Sequence, residues 1–137
     1  MKVLKFGGTS VGSVDSIRQI QHIIGQQTDD CIVVVSALGG ITDQLLKAAH
    51  LALEAGEEYM EIYQAIRCRH MDMVNTLITN PTTRQMLCLE LESILDELRS
   101  ILFGVHLVKD LSDKTEAAIV SYGERMSSRI VTAALPG

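Results

Sequence analysis

Three short stretches carry residue types that could do chemistry. The first is Lys5-Phe6-Gly7-Gly8-Thr9-Ser10. Adjacent glycines let a backbone approach a ligand closely, and the amides of such a loop can form an anion-binding nest. A lysine just ahead of them supplies a point charge for a phosphate. By themselves these residues read first as a strand end and an ordinary tight turn. Neither G-x-x-x-x-G-K-[ST] nor G-x-G-x-x-G occurs in the chain. The second stretch is Ser36-Ala37-Leu38-Gly39-Gly40-Ile41-Thr42. Its hydroxyls stand at a turn and at a predicted helix start, where free N–H groups suit a carboxylate. The competing reading is a turn hydroxyl at Ser36 and a routine N-cap at Thr42. The third is Ser121-Tyr122-Gly123-Glu124-Arg125-Met126-Ser127. Glu124 cannot bind a carboxylate but can bind an ammonium; otherwise it is a solvated helix residue paired with Ser121 or Arg125. Gly123 inside a helical pattern costs about 1 kcal/mol, which points to a close backbone or ligand approach.

Other reactive side chains form no such pattern. His22, His50, His70 and His106 lack metal-ligand spacing and read as surface or core-edge residues. Arg67 and Arg69 with His70 read as a small solvated basic cluster. Cys31, Cys68 and Cys88 include no C-x-x-C pair. Cys31 opens an apolar run and reads as a small buried hydrophobe, which suits a reducing, cytosolic compartment. No metal site is expected. The 137 residues carry a net charge of -5 without a Lys/Arg run, which argues against nucleic acid and anionic membranes as partners. The N-terminus enters a strand-like run with no signal-peptide pattern, and no apolar stretch approaches the ~18 residues of a membrane span.

The elements that must position the three stretches follow from periodicity. Lys2 to Phe6 reads as a strand. Ser13 is the expected N-cap of a helix carrying Val14, Ile17, Ile20, Ile23 and Ile24 and fading near Gly25. Ile32 to Val35, four β-branched residues, predicts a parallel strand covered by helices on both faces. A helix capped by Thr42 and stopped by Gly56 carries Leu45, Leu46, Ala49, Ala52 and Leu53. Strand, Gly loop, helix, strand, Gly loop, helix is the signature of a parallel α/β domain, with both loops at the strands' carboxyl ends, where ligands bind. Two long amphipathic helices follow, from Glu57 to about Ile78 and from about Thr82 to Leu102. Gly104 ends the second, and the pair forms a helical hairpin over about 57–104. A last helix begins near Ser112, with Asp113-x-x-Glu116 resembling a capping box, and runs to Ala134. A strand–loop continuation is expected past Leu135-Pro136-Gly137.

Lys5-Phe6-Gly7-Gly8-Thr9-Ser10-Val11 resembles the N-terminal signature of the aspartokinases. Val34-Val35-Ser36-Ala37 with Ile41-Thr42-Asp43 resembles their second motif, and Ser121-x-Gly123-Glu124-x-Met126-Ser127 their third. The order agrees and covers the whole chain. The resemblance implies the three-layer α/β/α amino-acid-kinase fold, of which residues 1–137 would be the N-terminal part. It implies transfer of the γ-phosphoryl group of ATP, with Mg2+, to the side-chain carboxylate of L-aspartate, the first step toward lysine, threonine and methionine. It places the catalytic, phosphate-binding lysine on Lys5, the phosphate loop on Gly7, Gly8, Thr9 and Ser10, and the aspartate contacts on Ser36, Thr42 and Glu124. A homo-oligomer is expected, and the long hairpin is similar to the group fused to homoserine dehydrogenase. In this family most nucleotide contacts lie in the C-terminal half, so the chain by itself is expected to be inactive. The alternatives are an amino-acid kinase acting on glutamate or a carbamate, and a non-catalytic module binding an anion or a partner.

Overall fold

The computed structural model describes residues 1–8 and 10–135. Lys2–Phe6 forms strand β1, and Cys31–Val35, which holds the β-branched run from Ile32, forms β2. They pair in parallel, from Lys2 opposite Cys31 to Phe6 opposite Val35. The crossover contains helix α1, Val14–Gly25, which starts where the sequence predicts. The Ser13 hydroxyl accepts the Ser16 N–H at 3.1 Å, and Ile17 and Ile20 are buried.

The expected cover on both faces of β2 is not found among the described residues. Phe6 and Val33 pack against the core and Val35 is buried. On the opposite face Val3, Ile32 and Val34 are 57%, 49% and 45% exposed. Strand side chains alternate, so the register puts Lys5 on this same open face, opposite Val34.

Four helices complete the chain: α2 Ile41–Ala52, α3 Glu58–Leu77, α4 Pro81–Val108 and α5 Asp113–Ala134. Each packs on the next, and α5 returns to α2, closing a ring that also touches β2. The hairpin of α3 and α4 is antiparallel. The Tyr63 hydroxyl donates to the Leu95 carbonyl at 3.1 Å, and Arg67, further along α3, pairs with Glu92, further back on α4. Arg125–Glu97 at 2.9 Å and Arg129–Glu90 at 3.6 Å show the same arrangement for α4 and α5. Such exposed pairs contribute at most about 1 kcal/mol each. The ring is held chiefly by its apolar interior. Leu91, Leu95, Leu98 and Leu102 of α4 are fully buried at helical spacing, each contributing roughly 2 kcal/mol.

Several boundaries differ from the sequence reading. α4 begins at Pro81, a residue ahead of Thr82, and is capped by Asn80, whose side chain accepts from the N–H groups of Thr82 and Thr83 at 3.0 and 3.1 Å. Pro81 fits the first helical position, where its missing N–H costs nothing. Gly104 does not end α4. The helix continues because Val105, a residue later, is buried, and it stops at Lys109 in the left-handed region, φ 55°. α2 ends at Ala52, ahead of Gly56. α5 is capped by Ser112, whose Oγ accepts the Thr115 N–H at 3.1 Å. Glu116 therefore closes no capping box and instead meets His50 at 3.0 Å. Cys31 is half-buried, with its thiol against the Asp29 carbonyl.

Candidate functional site

The three motif stretches meet. β1 delivers Gly8 beside the second glycine loop: a Cβ on Gly8 would lie 3.7 Å from the Ala37 carbonyl oxygen. A Cβ on Gly39 would lie 3.1 Å from the Gly8 carbonyl oxygen and 3.5 Å from the Gly12 Cα, so the two loops pack backbone against backbone. α5 packs on the other side of the second loop. A Cβ on Gly123 would stand 2.7 Å from Ala37 Cβ, 3.2 Å from Leu45 Cδ1 and 3.4 Å from Ile41 Cγ2. Gly123 is thus a close-approach residue, and its absent side chain sets the seating of α5 on the start of α2. Four residues later the buried Ser127 hydroxyl donates to the Ser36 carbonyl at 2.6 Å. Residues distant in sequence thereby share one edge of the sheet, at the carboxyl ends of both strands.

Lys5 is exposed on the open sheet face. Gly7 turns the chain, its carbonyl accepting from Ser10 and Val11 N–H at 3.0 and 3.2 Å. Those two amides are satisfied inside the turn, so an anion nest here has fewer donors than the glycine pair suggests. Ser10 is exposed. Thr9 lies outside the described residues. Ser36 is half-buried, its N–H extending the ladder to Phe6 at 3.0 Å. Thr42 is exposed but is not the N-cap. α2 begins at Ile41, and its cap is Gly40 at φ 82°, with no capping side chain. A left-handed φ favours glycine there. No side chain caps the first turn of α2, and Thr42 sits within that turn beside Asp43, its hydroxyl not used as a cap. Glu124 is exposed beside Gly123. Among the described residues no hydrogen bond or ion pair joins the side chains of Lys5, Thr42 and Glu124 to one another. The larger grooves lie elsewhere: about 580 Å³ between α4 and α5 and about 640 Å³ between α3 and α4. Of the motif residues, Lys5, Ser10, Thr42 and Glu124 are exposed.

The basic cluster is where the sequence reading misses most. Arg67, Arg69 and His70 are not one solvated group. Arg67 is tied to Glu92, and that hydrogen bond holds its guanidinium pKa above the usual value. Arg69, half-buried, donates from Nη2 to the Gly12 carbonyl at 3.1 Å and from Nη1 to the Gly39 carbonyl, joining the two glycine loops. His70 is fully buried. Its Nδ1 meets the Ile66 carbonyl at 2.7 Å, Nε2 has no partner among the described residues, and burial lowers its pKa. Helical spacing gives the signal that was available: two residues turn a helix by about 200°, so Arg67 and Arg69 must face different neighbours.

The parallel crossover, the glycine-loop edge and the helical ring define an α/β kinase-type domain, and the amino acid kinase family model matches residues 1–137. The chain belongs to that family. Within it, the chain is similar to aspartokinases. It is 32% identical over 137 residues to aspartokinase 2, chloroplastic, of Arabidopsis thaliana, covering 97% of this chain and 24% of that protein. It is 30% identical over 141 residues to the bifunctional aspartokinase/homoserine dehydrogenase of Buchnera aphidicola, covering 98% and 17%. Its fold matches the crystal structure of E. coli aspartokinase III in complex with lysine and aspartate at a TM-score of 0.83 and 28% identity, covering 98% of this chain and 28% of that one. The aspartate and ADP complex of the same enzyme matches at 0.81. The fold class is that of the amino-acid kinases, in its N-terminal portion. The chain spans about a quarter of the length of the aspartokinase 2 relative.

Proposed function

We propose that residues 1–137 are the N-terminal part of an aspartokinase catalytic domain and form its aspartate-recognising edge. The proposed reaction is ATP-dependent phosphorylation of the side-chain carboxylate of L-aspartate to 4-phospho-L-aspartate. One observation carries the reading: Gly123 seats α5 directly on Ala37 and Ile41, so the acidic residue beside it is held near the hydroxyl-bearing turn of Ser36 and Thr42. An ammonium-binding carboxylate next to carboxylate-binding hydroxyls and helix amides suits an amino acid with a second acid group.

The chemistry asks little of a proton-transfer group. A side-chain carboxylate has a pKa near ~3.9 and is an anion at neutral pH. One of its oxygens bonds to the γ-phosphorus, the bond from that phosphorus to the β,γ-bridging oxygen breaks, and ADP leaves with its electron pair. The protein must hold two anions together and neutralise charge on the transferring group. Lys5 is assigned to the phosphoryl oxygens, Gly7, Gly8, Thr9 and Ser10 to the phosphate loop, Ser36 and Thr42 to the aspartate carboxylates, and Glu124 to the α-ammonium. The magnesium ion of such a reaction is bound by the ATP phosphates and is part of the substrate. Among the described residues no three His, Cys, Asp or Glu side chains gather into a separate metal site. No described helix is long and apolar enough to cross a membrane. A cytoplasmic homo-oligomer serving amino-acid biosynthesis is the setting we assign.

Titration of the ¹⁵N-labelled chain with L-aspartate tests the reading. Amides at Ser36 to Thr42 and Gly123 to Ser127 should shift with L-aspartate, and much less with L-glutamate or D-aspartate. A chain that responds to glutamate as strongly, or to neither, refutes the assignment.

A further inference from the structure

We propose that Arg69 is a positioning residue: by gripping the Gly12 and Gly39 carbonyls it aims the amides of both glycine loops into the site. The identity of the ligand rests on the aspartate reading above; the clamp itself rests on geometry. Arg69 projects from α3, outside the three motif stretches, and bridges two loops that touch each other. Nη2 donates to the Gly12 carbonyl at 3.1 Å and Nη1 to the Gly39 carbonyl. A Cβ on Gly40 would come within 3.8 Å of Nη1. Among the described residues Arg69 makes no ion pair.

Peptide geometry supplies the consequence. A trans peptide unit is planar, with its C=O and N–H pointing in opposite directions. Holding the Gly39 carbonyl against the guanidinium therefore turns the Gly40 N–H away from it. The Gly12 carbonyl does the same for the N–H of Ser13. Gly40 is the N-cap of α2 at φ 82°, a residue whose peptide planes would otherwise rotate easily. The planar fork of arginine fixes two acceptors at once, which a lysine ammonium does not do with the same directionality. A positive charge behind the loops also favours an anion in front of them without touching it. Arg69 thus acts on the ligand through the loops it orients.

The test uses the 137-residue chain with Arg69→Met, which keeps the aliphatic stem, and Arg69→Lys, which keeps the charge. Thermal midpoint, L-aspartate Kd and ¹H–¹⁵N spectra are measured for each. Arg69→Met should raise the aspartate Kd about tenfold, the scale of losing a charge-assisted pair of hydrogen bonds. Arg69→Lys should recover only part of that loss while folding like the parent. A Kd within about twofold of the parent in Arg69→Met, or full recovery in Arg69→Lys, overturns the proposal. If Arg69→Met does not fold, Arg69→Lys decides, and an unchanged Kd there overturns it. If the parent chain binds no aspartate, the substrate reading fails by itself. The clamp is then judged on the ligand-free amide resonances of Ser13 and Gly40, which must move in Arg69→Met; unmoved resonances refute it.

Discussion

Replacing Gly123 by alanine tests how the site is assembled. The new methyl would stand 2.7 Å from Ala37 Cβ, 3.2 Å from Leu45 Cδ1 and 3.4 Å from Ile41 Cγ2. Carbon atoms in contact prefer about 3.5–4.0 Å, so roughly 1 Å of separation must be found. The Leu45 side chain can give way by rotation. Ala37 cannot, because its Cβ is fixed to the backbone of the turn between β2 and α2. Either α5 lifts or the turn moves. Overpacking of this kind costs about 1–3 kcal/mol, offset by about 1 kcal/mol from the better helix propensity of alanine. The net expectation is a loss of about 1 kcal/mol, or about 4 °C in Tm. The larger effect is on Glu124, the next residue, which is displaced relative to Ser36 and Thr42. A misplacement near 1 Å can cost up to about a hundredfold where geometry matters, so the aspartate Kd should rise at least tenfold. Gly104→Ala is the control. Gly104 also lies inside a helix, but a Cβ there meets nothing within 4 Å, so the same change should stabilise the chain by about 1 kcal/mol. Urea unfolding and calorimetric titration of both variants check the pair. A Gly123→Ala chain stabilised as much as Gly104→Ala, with unaltered aspartate affinity, would refute the reasoning.

The remaining predictions concern charge and association. In a kinase-active longer form containing these residues, Lys5→Ala should lower kcat by at least a hundredfold with little change in aspartate affinity, since charge stabilisation acts on the transition state; a near-normal kcat in a coupled ADP assay removes Lys5 from that role. Glu124→Gln should raise the aspartate KM at least tenfold and leave the ATP KM unchanged, because a charge-assisted bond to the ammonium is lost; a rise in the ATP KM instead would show the assignment wrong. His70, buried and held below its usual value of 6.5, stays neutral in the fold while the unfolded chain takes up its proton. Its contribution is therefore intact above pH 6.5 and lost as pH falls from there toward its folded pKa, at up to about 1.4 kcal/mol per pH unit. His70→Gln should flatten that slope in urea titrations between pH 7 and 5, and an unchanged slope would place its origin elsewhere. The 137-residue chain alone should show no kinase turnover and weak MgATP binding, and should self-associate through the open face of Val3, Ile32 and Val34. A clean monomer in sedimentation that binds MgATP at micromolar Kd would contradict both expectations.

Much of the fold was legible from local rules. Ser13 capping α1, the β-branched run of β2, and the leucine stripe of α4 each follow from periodicity and capping chemistry. The three motifs were legible as strings, and their order pointed to the family that the comparisons establish. What the sequence could not decide was every question settled by a distant neighbour. A glycine in a helical pattern carries the same local cost at positions 104 and 123. Only packing makes one an open helix residue and the other the contact that joins α5 to α2. Thr42 looked like a cap because threonine is a good one. The left-handed backbone at Gly40 took that place, since the second loop must turn sharply where it meets the first. Arg67, Arg69 and His70 look alike as a basic run, yet the turn of α3 sends one to Glu92, one to two loop carbonyls and one into the core. Local propensity is a property of neighbouring residues along the chain, whereas the partner of a long side chain is chosen by which helix face it occupies and what that face meets.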